Sequence, residues 1–555
     1  MPEKALTSNQ LLAKQYLEEI DFLDITSKTK KPLTMSKKFI VGGIYKEIIA
    51  YISCNFPSEY PKFFINDTSF YLTYPHIELS NTYENSCSIC LVNEEDKILY
   101  KNPAELLQKM NNTLFKFFDD INEGRLTQKD IYDEFDSYWR GKFIIHYNKE
   151  VLSNYKKYKV INTYFLEGNN KNFVIIDKVD KLKAFSIATN RKLIKSKILY
   201  INLEKRFPTK IPQTYNDLIK AIKDIGYFSL IKKLKNDTSL HRIILFSFLI
   251  PNSRKKHFAS IHVDQNKEEY LNKTGIVSTL LNNKNSNRKL HTGLAKDINP
   301  SRIYTRGGDT NNMKINNKDK KIALIGCGSI GASLAFKLNK IGCSNLLLID
   351  PDILSIDNIS RHLLGMEYEQ ENKANALKNF LEKQFLNSSI EAIDDGVENH
   401  LDKLNSYDLI ITALGSEANH IEELIINKSV EGNLPPVISC WLEANAISGH
   451  SIYFDNKIDS SSFDMQTIFN NITILDKEYA ASLKKDDVGC NASYMPYNFI
   501  NADQHINHFA NMVIKTVLDD KTPNIYTSIS NINGYESHIK KGININSNTL
   551  RMNNF

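Results

Sequence analysis

The stretch that most constrains this chain is "KIALIGCGSIGASLAFKLNKIGCSNLLLIDPD", Lys321 to Asp352. A short apolar run, Ile322 to Ile325, enters a turn carrying Gly326, Gly328 and Gly331. A helical pattern then leads to a second apolar run that ends at Asp350. Strand, glycine turn, helix and strand in this order form the pattern that cradles a nucleotide's phosphates. Glycines let the backbone approach phosphate oxygens, and the helix N-terminus favours their charge. An acidic residue about twenty positions on is placed to take a ribose hydroxyl, and Asp350 stands there. Alone, that carboxylate would serve equally well as a turn cap, and the glycines do not say which nucleotide is held.

A chain of 555 residues exceeds one core and implies three or four units. Lys and Arg number 70 against 64 for Asp and Glu, a net charge of +6 spread over Lys- and Asn-rich stretches. So mild an excess, without an Arg-rich stripe, argues against direct nucleic-acid binding. No apolar run approaches the roughly 20 residues that cross a membrane, and the charged first 26 residues lack a signal-peptide pattern. Seven scattered cysteines, an odd number, argue for a reducing compartment. The expectation is a cytoplasmic protein.

Coarse patterning divides the chain into four segments. Residues 1–147 group strand-like runs before helix-like ones, as an α+β unit does. Residues 148–265 repeat short strands around one amphipathic helix, a second α+β unit. Residues 266–319 are polar and rich in structure breakers and read as a flexible linker. From 320 to 555 strands and helices alternate, the mark of a parallel sheet covered on both faces. The fold class is α/β multidomain.

Past Asp350 the chain continues "PDILSIDNISRHLLGMEYEQENKANAL", placing Arg361 and Lys373 at intervals of eleven and twelve. Arg forks onto phosphate oxygens, and Lys supplies a mobile charge near an α-phosphate as pyrophosphate leaves. The bland alternative for both is an ordinary solvated charge.

This ordered set resembles the ThiF/MoeB-like adenylating family, which includes the ubiquitin-activating enzymes. The family's glycine turn, ribose-binding Asp, Asn-x-x-Arg and Lys fall on Gly326, Gly328, Gly331, Asp350, Asn358, Arg361 and Lys373, with His362 where Gln is usual. The resemblance covers about 320 to 555 and implies a Rossmann-like domain that adenylates a protein's C-terminal carboxylate with ATP and Mg2+. It also implies a homodimer, toward whose second nucleotide Arg306 is a candidate. Where the family often has a metal-binding Asp, this chain has Leu414, Gly415 and Ser416, leaving Asp408, Glu417 or water; the metal ligands stay unassigned.

Ubiquitin-type activation adds a thioester step. Cys440 lies in an apolar run and reads as a packed strand residue. Cys490, in the polar "KKDDVGCNASYMPYNF", is favoured as the nucleophile. Near the N-terminus, "CNFPSEYPKFFI", "YPHIELSNTYENSCSICLV" and "LLQKMNNTLFKFF" resemble the ubiquitin-conjugating fold in their order. The match makes Cys90 the acyl-accepting thiol and sets His76 in place of the usual Asn, as an oxyanion stabiliser or as a structural bond fixing the loop. Cys87 is a resolving thiol, a support or neither, and a core strand cysteine is the alternative for Cys90.

Together the two resemblances point to the conjugating-activating fusion enzymes of bacterial CBASS anti-phage operons; "DEFDSYW", Asp133 to Trp139, also fits them. The implied substrate is the free C-terminus of a cGAS-like nucleotidyltransferase, passed from Cys490 to Cys90 and joined to acceptor lysines. Two rivals remain: a nucleotide-sensing scaffold without catalysis, and a sulfur-carrier activator.

Overall fold

The computed structural model describes residues 6–26, 32–91, 102–139, 141–153, 155, 158–167, 172–175, 179–203, 211–224, 226, 228–229, 243–250, 256–263, 278–279, 287–299, 302–303, 320–384, 388–461, 463–475, 477–486, 493–519 and 525–529. They fall into two compact units, Met1–Ile175 with Ile194–Lys296, and Ile176–Leu193 with Asp297–Phe555.

The first unit opens with the helix Ser8–Glu19, whose Thr7 and Gln10 form a capping box. Six strands follow: β1 Leu23–Asp24, β2 Leu33–Val41, β3 Ile44–Ile52, β4 Lys62–Ile65, β5 Ile77–Leu79 and β6 Cys87–Ile89, in spatial order β1-β2-β3-β4-β6-β5. Gly42 and Gly43 both take positive φ, so the chain reverses in two residues and pairs Val41 with Ile44. The helix Pro103–Asn122 lays Leu106, Leu107, Met110, Leu114 and Phe118 on the core shared with Ala13, Leu17, Met35 and Ile48. Their i, i+3 and i+4 spacing gives one apolar stripe, and Asn102 caps its start ahead of Pro103.

The same unit holds a closed seven-stranded barrel: β7 Ile144–Tyr147, β8 Tyr158–Leu166, β9 Asn172–Ile175, β10 Leu193–Asn202, β11 Ile243–Leu249, β12 Lys256–His262 and β13 His291–Asp297. Alternation along β10 sends Leu199 and Ile201 to one cluster and Ile198 and Tyr200 to another. The helix Tyr215–Asp224 joins the first cluster, as do Phe135, Tyr138 and Trp139. Two expected boundaries shift in consequence. β7 precedes residue 148 yet belongs to the barrel, and β13 lies inside 266–319, the stretch whose polarity predicts a linker. β13 pairs with β12 and carries only Leu294 and Ala295 as aliphatic residues, so its apolar signal is weak.

The second unit is a seven-stranded sheet built from β14 Lys321–Ile325, β15 Asn345–Ile349, β16 Ser389–Ile393, β17 Leu409–Thr412, β18 Val437–Leu442, β19 Ser448–Phe454 and, after the short pair β20 Lys485–Asp486 and β21 Ser493–Tyr494, β22 Ile525–Ile529. Its order is β16-β15-β14-β17-β18-β19-β22, parallel from β16 to β18 and antiparallel beyond. Ile322 and Leu324 face a cluster with the helices Ser329–Lys340, Lys373–Glu382 and Phe499–Asp519. Ala323 and Ile325 face another, with the helix Asn419–Val430. Strands buried on both faces read as unbroken apolar runs, which is why they stand out in the sequence. β14 pairs with β15 on one side and β17 on the other, so the strand order reverses direction at its carboxyl end. Ligands of open α/β sheets bind at such a point.

Candidate functional site

The glycine turn leaves β14 at that carboxyl end. Gly326 has φ +92°, and a Cβ there would lie 2.5 Å from the Ala413 carbonyl oxygen. At Gly331 a Cβ would meet the Gly326 carbonyl. Both glycines are therefore required by close backbone approach. Gly328 faces open space and begins the helix Ser329–Lys340 with no side chain capping it among the described residues. That leaves first-turn N–H groups and the helix dipole for an anion.

Two buried side chains pin the Cys327 peptide at the tip of this turn. The Cys327 N–H donates to Asp350 Oδ2 at 2.6 Å. His362 Nε2 lies 2.8 Å from the Cys327 carbonyl, while its Nδ1 accepts the Leu364 N–H at 3.1 Å. Because Nδ1 accepts, the ring proton sits on Nε2 and is donated to Cys327. Burial pushes the His362 pKa down, which keeps the ring neutral.

Asp350 also takes the Asp352 N–H, at 2.8 Å on its other oxygen. Burial raises its pKa, against the pull of the Asp352 and Cys327 N–H groups and of the Lys373 ammonium. Expected to meet a ribose, this carboxylate is 6% exposed and latches the glycine turn to the end of β15. The carboxylate open at this edge is Asp352, with a side chain 65% exposed and Oδ2 2.7 Å from Lys373 Nζ. Sequence reasoning passed over it; the available signal was the second Asp of "DPD", one residue beyond a Pro that ends the strand.

Lys373 begins the helix Lys373–Glu382, whose cap residue Asn372 donates to the Asp350 and Asp352 carbonyls at 2.8 and 3.1 Å. Asn358 closes a capping box with Ser355 on the turn Ile356–Ile359, and Arg361 N–H bonds the Asn358 carbonyl. The Arg361 guanidinium lies 5.7 Å from the Tyr497 ring centre, and the Tyr497 hydroxyl bonds Ser329 Oγ at the glycine helix. The structure thus brings Gly326, Gly328, Gly331, Asp350, Asn358, Arg361 and Lys373 around one end of the sheet. Tyr497, more than a hundred residues away in the chain, had no sequence signal.

Metal ligands are less provided for. Asp408 is fixed to the Lys321 N–H at 2.8 Å and to Lys320 at 3.3 Å, at the opposite end of β14 from the glycine turn, so it is excluded. Glu417 is exposed in the turn Ser416–Ala418 after β17. Among the described residues no group of three or more His, Cys, Asp or Glu could hold a metal ion.

Of the cysteines, Cys440 is fully buried in β18, as its apolar context predicts, and burial drives its thiol pKa far up. Cys490 and Arg306 lie outside the described residues. In the first unit β6 places Cys87 and Ile89 inward, while Cys90 follows on the solvent side. Cys87 is fully buried, and burial pushes its thiol up to about 11, whereas Cys90 is exposed.

Cys90 N–H donates to the His76 carbonyl at 2.8 Å. His76 has φ +59° and is held by Glu134, which takes its Nδ1 at 2.6 Å and its main-chain N–H at 3.2 Å. The His76 pKa is raised, chiefly by that bond. Glu134 belongs to "DEFDSYW", whose Trp139 donates to the Ser260 and Gly293 carbonyls of β12 and β13, each at 3.2 Å. Asp136 bonds His257 and Lys296 of the same strands. Sequence reasoning noted this segment without finding a role for Glu134.

Among the described residues no helix is long and apolar enough to cross a membrane. Residues 301–467 match the ThiF family model. Over 131 residues the chain is 34% identical to the Pseudomonas aeruginosa "ATP-dependent ubiquitin transferase-like protein Cap2", covering 22% of each. A protein of that name from Enterobacter hormaechei is 33% identical over 119 residues, 21% of this chain and 19% of its own. The match to the Escherichia coli protein of that name is longer and weaker, 23% identical over 350 residues, 56% of this chain and 57% of that one. The chain thus spans about a fifth of the length of the first two relatives. A solved structure titled "Crystal structure of E. coli MccB + ATP" is 17% identical with a TM-score of 0.30, over 41% of this chain and 73% of that one. In its C-terminal region this chain carries a ThiF family domain.

Proposed function

We propose that the chain activates the C-terminal carboxylate of a protein with ATP, carries the acyl group as a thioester and joins it to an amine. The observation that carries this reading is the cradle at the carboxyl end of β14. A helix N-terminus that no side chain among the described residues caps, an exposed Asp352 and the cations Arg361 and Lys373 meet there. Their chemistry fits a triphosphate: backbone N–H groups take phosphate oxygens, Asp352 accepts a ribose hydroxyl, and Arg361 and Lys373 stabilise charge developing on departing pyrophosphate. Mg2+ belongs to this reading through the phosphates, since it binds with one or two carboxylates and several waters.

Cys490 is the proposed first thiol and Cys90 the second, within a ubiquitin-conjugating-like N-terminal domain. Residues 148–265 are read as a connecting domain. Carrying both thiols on one chain raises their mutual effective concentration, to about the millimolar range where the connection spans the gap. The relatives' printed name supports a transferase of ubiquitin type. The proposed substrate is a cGAS-like nucleotidyltransferase, the outcome its ligation to lysines in cytoplasmic anti-phage defence, and the active form a homodimer.

Pyrophosphate exchange into ATP, with a glycine-terminated peptide as carboxylate, tests the adenylation step. Exchange is expected from the native chain and is lost in Lys373→Ala and Arg361→Ala. Exchange unchanged in Lys373→Ala removes the assignment. On non-reducing gels the trapped adduct is expected to move from Cys90 to Cys490 in Cys90→Ala. Charging of Cys90 in a Cys490→Ala chain would remove Cys490 from the route.

A further inference from the structure

Glu134 clasps His76 twice. Its Oε1 meets Nδ1 at 2.6 Å, and its Oε2 takes the His76 main-chain N–H at 3.2 Å and the Tyr138 hydroxyl at 3.5 Å. Tyr138 in turn accepts the Ile77 N–H at 3.3 Å. These bonds fix the backbone where φ is +59°, immediately before β5, whose pairing with β6 sets the His76 carbonyl on the Cys90 N–H. The ring also packs against Phe117 of the helix Pro103–Asn122. A carboxylate on Nδ1 selects the tautomer that leaves Nε2 as an acceptor, the logic by which a buried acid orients a catalytic histidine.

We propose that Glu134 is a positioning residue that fixes His76 as the proton acceptor for an amine attacking an acyl group on Cys90. The inference rests on the reading of Cys90 as an acyl-carrying thiol. In the step, the amine nitrogen bonds to the acyl carbon and gives a proton to His76 Nε2. The carbon–sulfur bond breaks with its electron pair leaving on the Cys90 sulfur, and the proton passes from Nε2 to that thiolate or to water. The products are an amide and the free thiol, with no change of oxidation state. Besides Glu134, the titratable groups on the elements packed against His76 include Asp133 and Tyr138 beside Glu134, Glu78 on β5, the Cys90 thiol, and Lys116 and Asp120 on the helix that carries Phe117. Because residues 135, 138 and 139 are buried in the barrel-side cluster, the barrel holds the clasp in place.

The test uses the full-length chain, acylated at Cys90 with S-phenyl thioacetate so that no ATP step is involved. Discharge to Nα-acetyl-lysine is followed by peptide mass spectrometry across a pH series that spans about pH 5 to 8, where histidine side chains change charge, and extends above it. Glu134→Gln is expected to slow discharge by roughly a hundredfold, the usual scale of general-base catalysis. It also moves the pH-dependent rise to lower pH, and Glu134→Asp recovers part of the rate. An unchanged rate and pH profile in Glu134→Gln would overturn the proposal, as would a native Cys90 that the probe does not acylate. Should Glu134→Gln not fold, His76→Gln carries the same test and the same expected loss. Since the probe bypasses activation, failure of ATP-dependent charging alongside normal discharge counts against the adenylation reading alone.

Discussion

At the scale of single residues, the two aspartates of "DPD" divide two tasks that a sequence pattern assigns to one. Asp350 satisfies two backbone N–H groups in a buried place, whereas Asp352 is exposed and paired with Lys373. Asp350→Ala strands both donors and is expected to lower stability by about 1 to 3 kcal/mol in thermal or urea melts. Asp352→Ala is expected to leave the melt nearly unchanged and to weaken ATP binding, read by titration calorimetry. The reverse pattern would return the ribose to Asp350. Spacing alone did not separate them, because burial decides which carboxylate is exposed and burial belongs to the fold.

Elements show where sequence patterning succeeds and where it stops. Buried parallel strands such as β14 and β15 are continuous apolar runs between a glycine turn and a helix, so they are plain in the sequence. The two-glycine hairpin inside "KFIVGGIYKEII" is equally local. β13 is not: it has few apolar residues and gains its place by pairing across the barrel. A similar long-range dependence sits at β19, where a Cβ on Gly449 would fall 2.6 Å from His505 Cβ and 2.5 Å from its Cγ. Gly449→Ala is expected to cost about 1 to 3 kcal/mol by pushing the helix Phe499–Asp519 off the sheet, measured by denaturant melts. Burial lowers the His505 pKa from 6.5 to about 4, with the charges of His450 and His508 acting in the same direction. Between those values the unfolded state binds the extra proton, so stability falls as pH drops from about 6.5 toward 4. Melts of the native chain across that window are expected to show the loss, and His505→Asn to reduce it.

For the molecule as a whole, the order of chemistry-bearing motifs was legible while the joints between domains were not. In the sequence the segment Asp133–Trp139 fits the family resemblance but carries no mechanism of its own. In the fold it carries Glu134 to His76 and Trp139 into the barrel, so it joins two halves of one unit that the sequence divides near residue 147. Trp139→Ala is expected to destabilise that unit by about 3 to 5 kcal/mol. It is also expected to slow discharge from acylated Cys90, which melts and the lysine assay would read together. The cradle beside β14 is proposed to take a triphosphate rather than a dinucleotide. Titration calorimetry of the full-length chain with ATP and with NAD tests it most directly. ATP is predicted to bind, at least tenfold more weakly in Lys373→Ala and in Arg361→Ala, the loss of about 1.4 kcal/mol expected of one charged phosphate contact, with no heat from NAD. NAD binding more tightly than ATP, or ATP binding indifferent to both substitutions, would contradict it.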